Sequence, residues 1–443
     1  MGTRARKVNY ADRSDSSLNP ELDSSAYEAA SNISRGNEQS LFSVIMKSGT
    51  SNKVNIMELT TIADKWASGY DYQRSDGLQR IIQLIINSSG CKGIADKSLY
   101  ESDTSGEGFQ TLINRMIEQF DEDSTDYPFI QTTPIYKRFR NSVCEFFSIF
   151  IKQCQRDIIY DAFLMDNVIQ LLTEMSGSTV RAFRHTASIL SMKIMTSLVK
   201  IALKLHQDLN QNTRQLDIEN SKPVRSRATN KINALNARRK ELEDQSSEIE
   251  DMLNSIFKGI FAHRYRDMVP DIRACCMEEI GNWMRVFPKV FLTDSYLKYV
   301  GWTLNDKIKE VRIKCVNTLL SLYKDRELCK DLRLFTKRFK SRLSSMTADK
   351  EQEVAVLATK LCTCIVQNFP AEQFFSREEC EIVYMLVFSQ HRPLAAAAAD
   401  FLWEKIFAVE DAKNAAKRGK NKPKNKNIPL LHTGSIVSNL FTK

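Results

Sequence analysis

Three aspartates set the frame of this chain. Asp267-MVPD-Ile272-Arg273, Asp306-KIKE-Val311-Arg312 and Asp349-KEQE-Val354-Ala355 recur in register at steps of about 40 residues. At matching offsets downstream stand Cys276, Cys315 and Ala358, then Ile280, Leu319 and Cys362, then Trp283, Leu322 and Ile365. Offsets of four and three residues place each set on one face of a helix, and an aspartate suits the start of that helix. A weaker fourth copy places Leu394, Ala398 and Leu402 in HRPLAAAAADFLWEKIF. A period of this size, two helices to a unit, predicts a HEAT-type α-solenoid.

The rest of the sequence agrees with an all-α fold. No β-alternation of any length occurs, and 15 Gly and 10 Pro among 443 residues are too few for a turn-rich β protein. Residues 1–40 are rich in Ser, Asn and Asp and are expected to be disordered. Residues 41–180 read as an N-terminal helical region. Residues 181–260 read as two long helices joined by a polar loop around Pro223, a hairpin projecting from the body. Ile232, Leu235, Leu242, Ile249, Leu253 and Ile256 form a near-heptad stripe on its second arm. The repeats occupy 261–407, and 408–443 is expected to be a basic flexible tail.

Charge and cysteine usage narrow the setting. The formal net charge is +9, yet residues 412–443 carry eight cations and no acid, so the body is nearly neutral. Affinity for nucleic acid must then come from local patches and the tail. The ten Cys sit in apolar helical runs, as buried free thiols do in a reducing compartment. No apolar run is expected to reach membrane-spanning length.

A search for chemistry finds no catalytic residues, no metal site and no cofactor site. There is no Gly-rich phosphate loop, HExxH or GxSxG. Cys362-Thr-Cys364 has the wrong spacing for a zinc knuckle, and DEDSTD at 121–126 lacks the Gly and terminal Glu of a calcium loop. His185, His206, His263, His391 and His432 are scattered. An enzyme is not expected, nor a small-molecule substrate.

Two kinds of patch remain. In the stretch from Asp294 to Arg342, Tyr296, Tyr299 and Trp302 recur at three-residue steps and Phe335 and Phe339 at four, among Lys298, Lys337, Arg338 and Lys340. Such aromatics are either core residues with solvated cationic neighbours or the walls of a slot for an aromatic peptide. Basic clusters occur at Lys137, Arg138 and Arg140, at Arg181 and Arg184, at Arg225, Arg227 and Lys231, and at Arg238, Arg239 and Lys240. Each is either a solvated face or part of a track for DNA phosphates.

Several runs closely resemble the cohesin SA subunits, the stromalin or stromal antigen family. They are SGCKG at 89–93, EQFDEDSTDYP at 118–128, RAFRHTASILSMKIMTSLV at 181–199, NSIFKGIFAHRYRD at 254–267, DSYLKYVGWTLND at 294–306 and LFTKRFKSRLSSMTADKEQEVAV at 334–356. The resemblance covers nearly all of residues 41–407, as the N-terminal part of a family chain more than twice this length. It implies a non-catalytic scaffold in the nucleus, on chromosomes, in sister-chromatid cohesion. Its implied partners are the kleisin subunit, DNA without sequence preference, and regulators with Phe/Tyr motifs such as shugoshin, with no membrane involved. It implies a peptide-binding cleft at Asp294, Lys298, Tyr299, Trp302, Leu334, Phe335, Arg338 and Phe339, and DNA contacts at Lys137, Arg138 and Arg140. The other solenoid reading is a karyopherin-like transport adaptor that binds protein cargo and needs no DNA patch.

Overall fold

The computed structural model describes residues 40–48, 54–70, 72–101, 107–120, 126–370 and 372–408. The expected disordered N-terminus, the basic tail and most of the DEDSTD run lie outside them. Helices and turns make up the described residues, with no strand among them. The chain divides into two compact units, residues 1–272 and 273–443.

The first unit contains α1 (Leu41–Lys47), α2 (Ile56–Tyr70), α3 (Arg74–Ser88), α4 (Gly108–Glu118), α5 (Pro134–Cys154), α6 (Leu164–Gly177), α7 (Arg181–Ser221) and α8 (Thr229–Ile256). Proline at the first turn of α5 needs no backbone hydrogen-bond partner there. Helix α5 lies between α2 and α7, and buries Phe139, Phe146, Phe147 and Phe150. Helix α7 is long and apolar enough to cross a membrane, contrary to the expectation from sequence, but 72% of that window is buried inside the unit. It is a core helix at its root: Phe183, Leu190, Met195 and Leu198 are all enclosed.

Beyond Leu205 the character of α7 changes. Only Asn212, Leu216 and Glu219 are buried, and α8 packs antiparallel along it through Leu242, Ile249, Leu253 and Ile256. Glu219 fixes the turn between the two arms. Its carboxylate accepts from Lys222 Nζ at 2.7 Å and from the Ala228 N–H at 3.2 Å, with Lys231 at 3.5 Å. The Lys222 hydrogen bond, then the Ala228 one, hold this carboxyl down to about 2. After α8 the chain forms a π-helical turn, Phe257–Phe261, in which the Phe257 and Phe261 rings stack at 4.8 Å. Gly259 there faces Thr173 of α6 with room for little more than a methyl group.

In the second unit the repeat is visible as packing. Its helices are α9 (Pro270–Val286), inside which the unit boundary falls, α10 (Asp294–Thr303), α11 (Lys309–Lys324), α12 (Arg333–Ser345), α13 (Gln352–Asn368), α14 (Arg377–Met385) and α15 (Arg392–Leu402). Helix α11 packs on α13 and α13 on α15. All nine stripe residues predicted from the repeat are buried: Cys276, Ile280, Trp283, Cys315, Leu319, Leu322, Ala358, Cys362 and Ile365. In the fourth copy Leu394 and Ala398 are buried, while Leu402 is only half-buried and Phe401 takes the enclosed place. Gly281 of α9 lies so close to the Thr318 side chain of α11 that any Cβ would collide with it, and Thr318 Oγ1 donates to the Met277 carbonyl at 2.9 Å.

The three aspartates do not cap these helices in the simple sense. Each precedes its helix by three residues and closes a turn by accepting from the N–H two residues on: Val269 to Asp267 at 2.8 Å, Ile308 to Asp306 at 2.9 Å, Glu351 to Asp349 at 3.0 Å. The other oxygen, or the same one, then takes an arginine from an earlier helix. Arg184 of α7 reaches Asp267 at 2.9 Å, Arg273 of α9 reaches Asp306 at 2.6 Å, and Arg312 of α11 reaches Asp349 at 2.7 Å. Arg273 and Arg312 stand six residues after their own aspartates, so each repeat reaches forward to the next. Serine replaces aspartate at both ends of this series. Ser178 accepts from Val180 N at 3.1 Å before α7, and Ser389 from His391 N at 3.3 Å before α15. The series stops forward of Asp349 because Ala355 stands where an arginine would be.

Candidate functional site

The predicted cleft residues lie on α10 and α12 of the second unit. Leu297, Val300 and Leu304 form the buried stripe of α10, which turns Lys298, Tyr299 and Trp302 toward its flank. Asp294 in the first turn suits the positive end of the helix. Helix α12 buries Phe335, Thr336 and Leu343. Inside it, Thr336 bonds to the Tyr323 hydroxyl at 2.6 Å and to the Leu332 carbonyl at 2.9 Å.

Three contacts lock the two helices together. Arg342 Nη2 of α12 donates to the last-turn Leu304 carbonyl of α10 at 2.8 Å. Arg338 pairs with Asp294 at 3.2 Å. The Phe339 ring lies flat against Gly301, leaving no room for a Cβ at that position. Glycine is therefore needed at 301 for close approach, not for its backbone freedom.

On this frame the aromatics form two pairs. Tyr299 and Trp302 meet edge to face at 5.7 Å and 75°. Phe335 and Phe339 stack at 4.6 Å and 29°. Lys298 Nζ sits 5.2 Å from the Tyr299 ring and 5.8 Å from the Trp302 ring, within cation–π range. Trp302 is 53% exposed, while Tyr299 and Phe339 are half-buried.

Two members of the predicted set are placed otherwise. Phe335 is 1% exposed; it is a core residue that backs Phe339 and offers no wall of its own. Leu334 lines a neighbouring hollow of about 570 Å³ with Lys330, Arg333, Lys337, Lys340 and Phe374. Of the predicted set, Leu334 alone reaches that hollow.

Of the predicted DNA residues, one is exposed and two, Arg138 and Arg140, are half-buried. Lys137 is exposed. Arg138 donates to the Met46 carbonyl at 3.2 Å, and Arg140 donates to the Phe129 carbonyl. Both guanidinium groups thus tie α5 to neighbouring backbone within the first unit. No group of His, Cys, Asp or Glu among the described residues is arranged to hold a metal ion. Among the histidines, His185 is buried, and its Nδ1 lies 2.7 Å from the Tyr127 hydroxyl. Burial holds its pKa down to about 4, which keeps it neutral.

Comparison with known proteins agrees with this frame. A STAG domain matches residues 125–238, and a stromalin conservative domain matches residues 266–340. The second span includes α10 and α12 down to Lys340. Cohesin subunit SA-1 of Xenopus laevis is 46% identical over 402 residues, which is 89% of this chain and 31% of the relative. The chain belongs to the cohesin SA, or stromalin, family. Cohesin subunit SA-3 of Homo sapiens is likewise 46% identical over 355 residues, 80% of this chain and 28% of the relative. This SA-family chain therefore spans about a third of the length of the curated relatives it matches. Cohesin subunit Scc3 of Z. rouxii superposes with a TM-score of 0.72 at 19% identity, over 92% of this chain and 46% of that one. At that identity the likeness speaks for the helical fold alone.

Signals for some of these features were present but unread. Arg273 and Arg312 recur in the repeat and mark the ladder. Gly301, beside the aromatics of α10, marks the close approach of α12. Nothing in the sequence separates a buried Phe335 from a half-buried Phe339.

Proposed function

We propose that this chain acts as a non-catalytic scaffold of the cohesin complex in the nucleus, and that α10 and α12 form a capture site for short peptides containing Phe or Tyr. The observation that carries this reading is the state of Trp302. A family domain encloses a tryptophan left half-exposed, held edge to face by Tyr299 and overlaid by Lys298, on a frame locked by Gly301 and Phe339. Large aromatics on rigid supports bury area at low entropic cost, as binding hot spots do. Lys298 and Arg338 supply donors for a peptide's carbonyl or acidic groups, and Asp294 an acceptor. Kleisin, shugoshin-like regulators and DNA are the partners this role implies. The fold without its family context would equally suit a cargo adaptor, but the SA relatives favour the cohesin reading.

The test is a titration of the full chain with a Phe/Tyr-containing peptide against the same peptide with its aromatic replaced by Ala. Saturable binding of the first and at least a tenfold loss for the second is expected. Equal affinity of both would overturn the cleft as an aromatic receptor.

A further inference from the structure

Four large apolar side chains of the last described repeat stand more than half exposed: Ile382 at 51%, Met385 at 68%, Phe388 at 62% and Trp403 at 55%. Elsewhere among the described residues of the second unit, only Trp302 among the large apolar side chains is so exposed. Ile382, Met385 and Phe388 follow at three-residue steps along α14 and the turn Leu386–Phe388 that continues it, so they share one flank. The other side of α14 is core, with Cys380 and Val383 buried. Trp403 opens the π-helical turn after α15, and α15 packs against both turns. Together the four expose roughly 500 Å², the size of the apolar patches that mark interaction surfaces.

In a repeat array each unit covers the flank of the one before it, and the last unit needs a cap. Helix α11 packs on α13 and α13 on α15, and beyond α15 the described residues supply only the turn Trp403–Ala408. Residues 409–443 lie outside the described residues, and their sequence matches the flank in three respects. Leu430, Leu431, Ile436, Val437, Leu440 and Phe441 stand in a stretch, 427–442, that holds no acid, Lys or Arg. The last four of them would lie on one face of a helix, and so short a stretch cannot build a core of its own. Residues 409–429 reach up to about 70 Å, against about 16 Å for α15, and such a tether holds the stretch at an effective concentration on the order of millimolar. Charge also matches. Residues 412–427 carry seven cations and no acid, while residues 372–405 hold six acids and three cations; Glu378, Glu381 and Asp400 among those acids are exposed.

We propose that residues 430–441 dock on the flank formed by Ile382, Met385 and Phe388 and cap the last repeat, with the basic stretch 412–427 lying along the acids of α14 and α15. A second copy of the chain is the poorer occupant. The exposed area falls short of the roughly 800 Å² per partner that a stable pair of proteins buries, whereas a tethered segment loses far less freedom on docking. While docked, the segment withholds this flank from any separate apolar helix.

The experiment measures amide hydrogen exchange over residues 430–441. It uses the full chain, its Ile382→Asp/Met385→Asp variant, and a synthetic peptide of residues 428–443. In the parent, the amides of 436–441 are expected to exchange at least tenfold more slowly than in the peptide. In the variant they are expected to exchange at the peptide's rate, while its melting temperature stays within a few degrees of the parent's because both side chains are exposed. Glu378→Lys/Glu381→Lys should reduce the protection severalfold at low salt and less at high salt. A second readout leaves α14 untouched. Peroxide should oxidise Met385 at least threefold more slowly in the parent than in a Val437→Asp/Phe441→Asp variant, with the 91% exposed Met268 reacting equally in both. Parent amides that exchange like the peptide, or equal Met385 oxidation in the two chains, overturn the cap. Protection that survives Ile382→Asp/Met385→Asp places the segment elsewhere and overturns it. Protection that rises with protein concentration, together with a dimer in sedimentation, assigns the flank to a second copy and overturns it too.

Discussion

The repeat ladder and the hairpin tip are both made of arginines and carboxylates on helices, and they use them in opposite ways. In the ladder, Asp306 and Asp349 are enclosed and each holds a turn with one bond and an earlier helix with another. Charge there is spent on register between repeats. At the tip, one enclosed carboxylate, Glu219, fixes the turn while most cations face water. Charge there is left facing solvent. The lesson is that a cation cluster is informative only once its hydrogen bonds are counted. Arg138 and Arg140 form a basic cluster in sequence, and in the fold each also donates to a backbone carbonyl.

The largest expected effect breaks the ladder. Asp306→Ala removes the turn acceptor and leaves the enclosed Arg273 without its carboxylate, which should cost about 3–5 kcal/mol of stability, read by denaturant unfolding. A surface-pair reading predicts under about 1 kcal/mol.

At the root of the hairpin helix, His185 tests burial by pH. Its folded pKa of about 4 lies below its ordinary 6.5, so the unfolded chain takes up the proton first as the medium acidifies. Stability contributed above pH 6.5 is lost as pH falls toward 4, by on the order of 3 kcal/mol. Melts of parent and His185→Gln over that window should converge at low pH if the parent's slope comes from this histidine; parallel slopes would refute it. At the tip, Glu219 has the same sign lower down. Its contribution, present above pH 4.5, fades as pH falls toward 2.

Gly301→Ala addresses the cleft frame. The added methyl must displace the Phe339 ring, at about 1–3 kcal/mol, and should weaken peptide capture by moving one wall. Unaltered stability and capture would show that α10 and α12 can separate freely. The smallest effect belongs to the hairpin tip. The Arg225→Gln/Arg239→Gln/Lys240→Gln variant should unfold within about 0.5 kcal/mol of the parent, since those side chains hold little of the fold. A loss like that of Asp306→Ala would erase the contrast between the two regions.

Much of this was legible in the sequence because it depends on period. The helical class, the nine-residue buried stripe and the hairpin follow from apolar spacing, which packing enforces on both arms and in every repeat. The family runs carried the positions proposed for the cleft. What stayed hidden depends on contacts between distant residues. The ladder needs Arg273 to meet Asp306 across a repeat, the fate of Arg140 depends on the Phe129 carbonyl, and Phe335 differs from Phe339 only by which side of α12 meets the core. The apolar window lies in the mostly buried root of α7, where a core helix has the length and composition of a membrane span.

The central claim is that the α10–α12 aromatics are a receptor and not merely core, and Trp302→Ala tests it most directly. Thermal melting and titration with a Phe/Tyr-containing peptide are measured on the same preparation. With Trp302 half-exposed, the variant should melt within a few degrees of the parent while losing on the order of 2 kcal/mol or more of peptide affinity. A large drop in melting temperature, or peptide affinity equal to the parent's, would contradict the account.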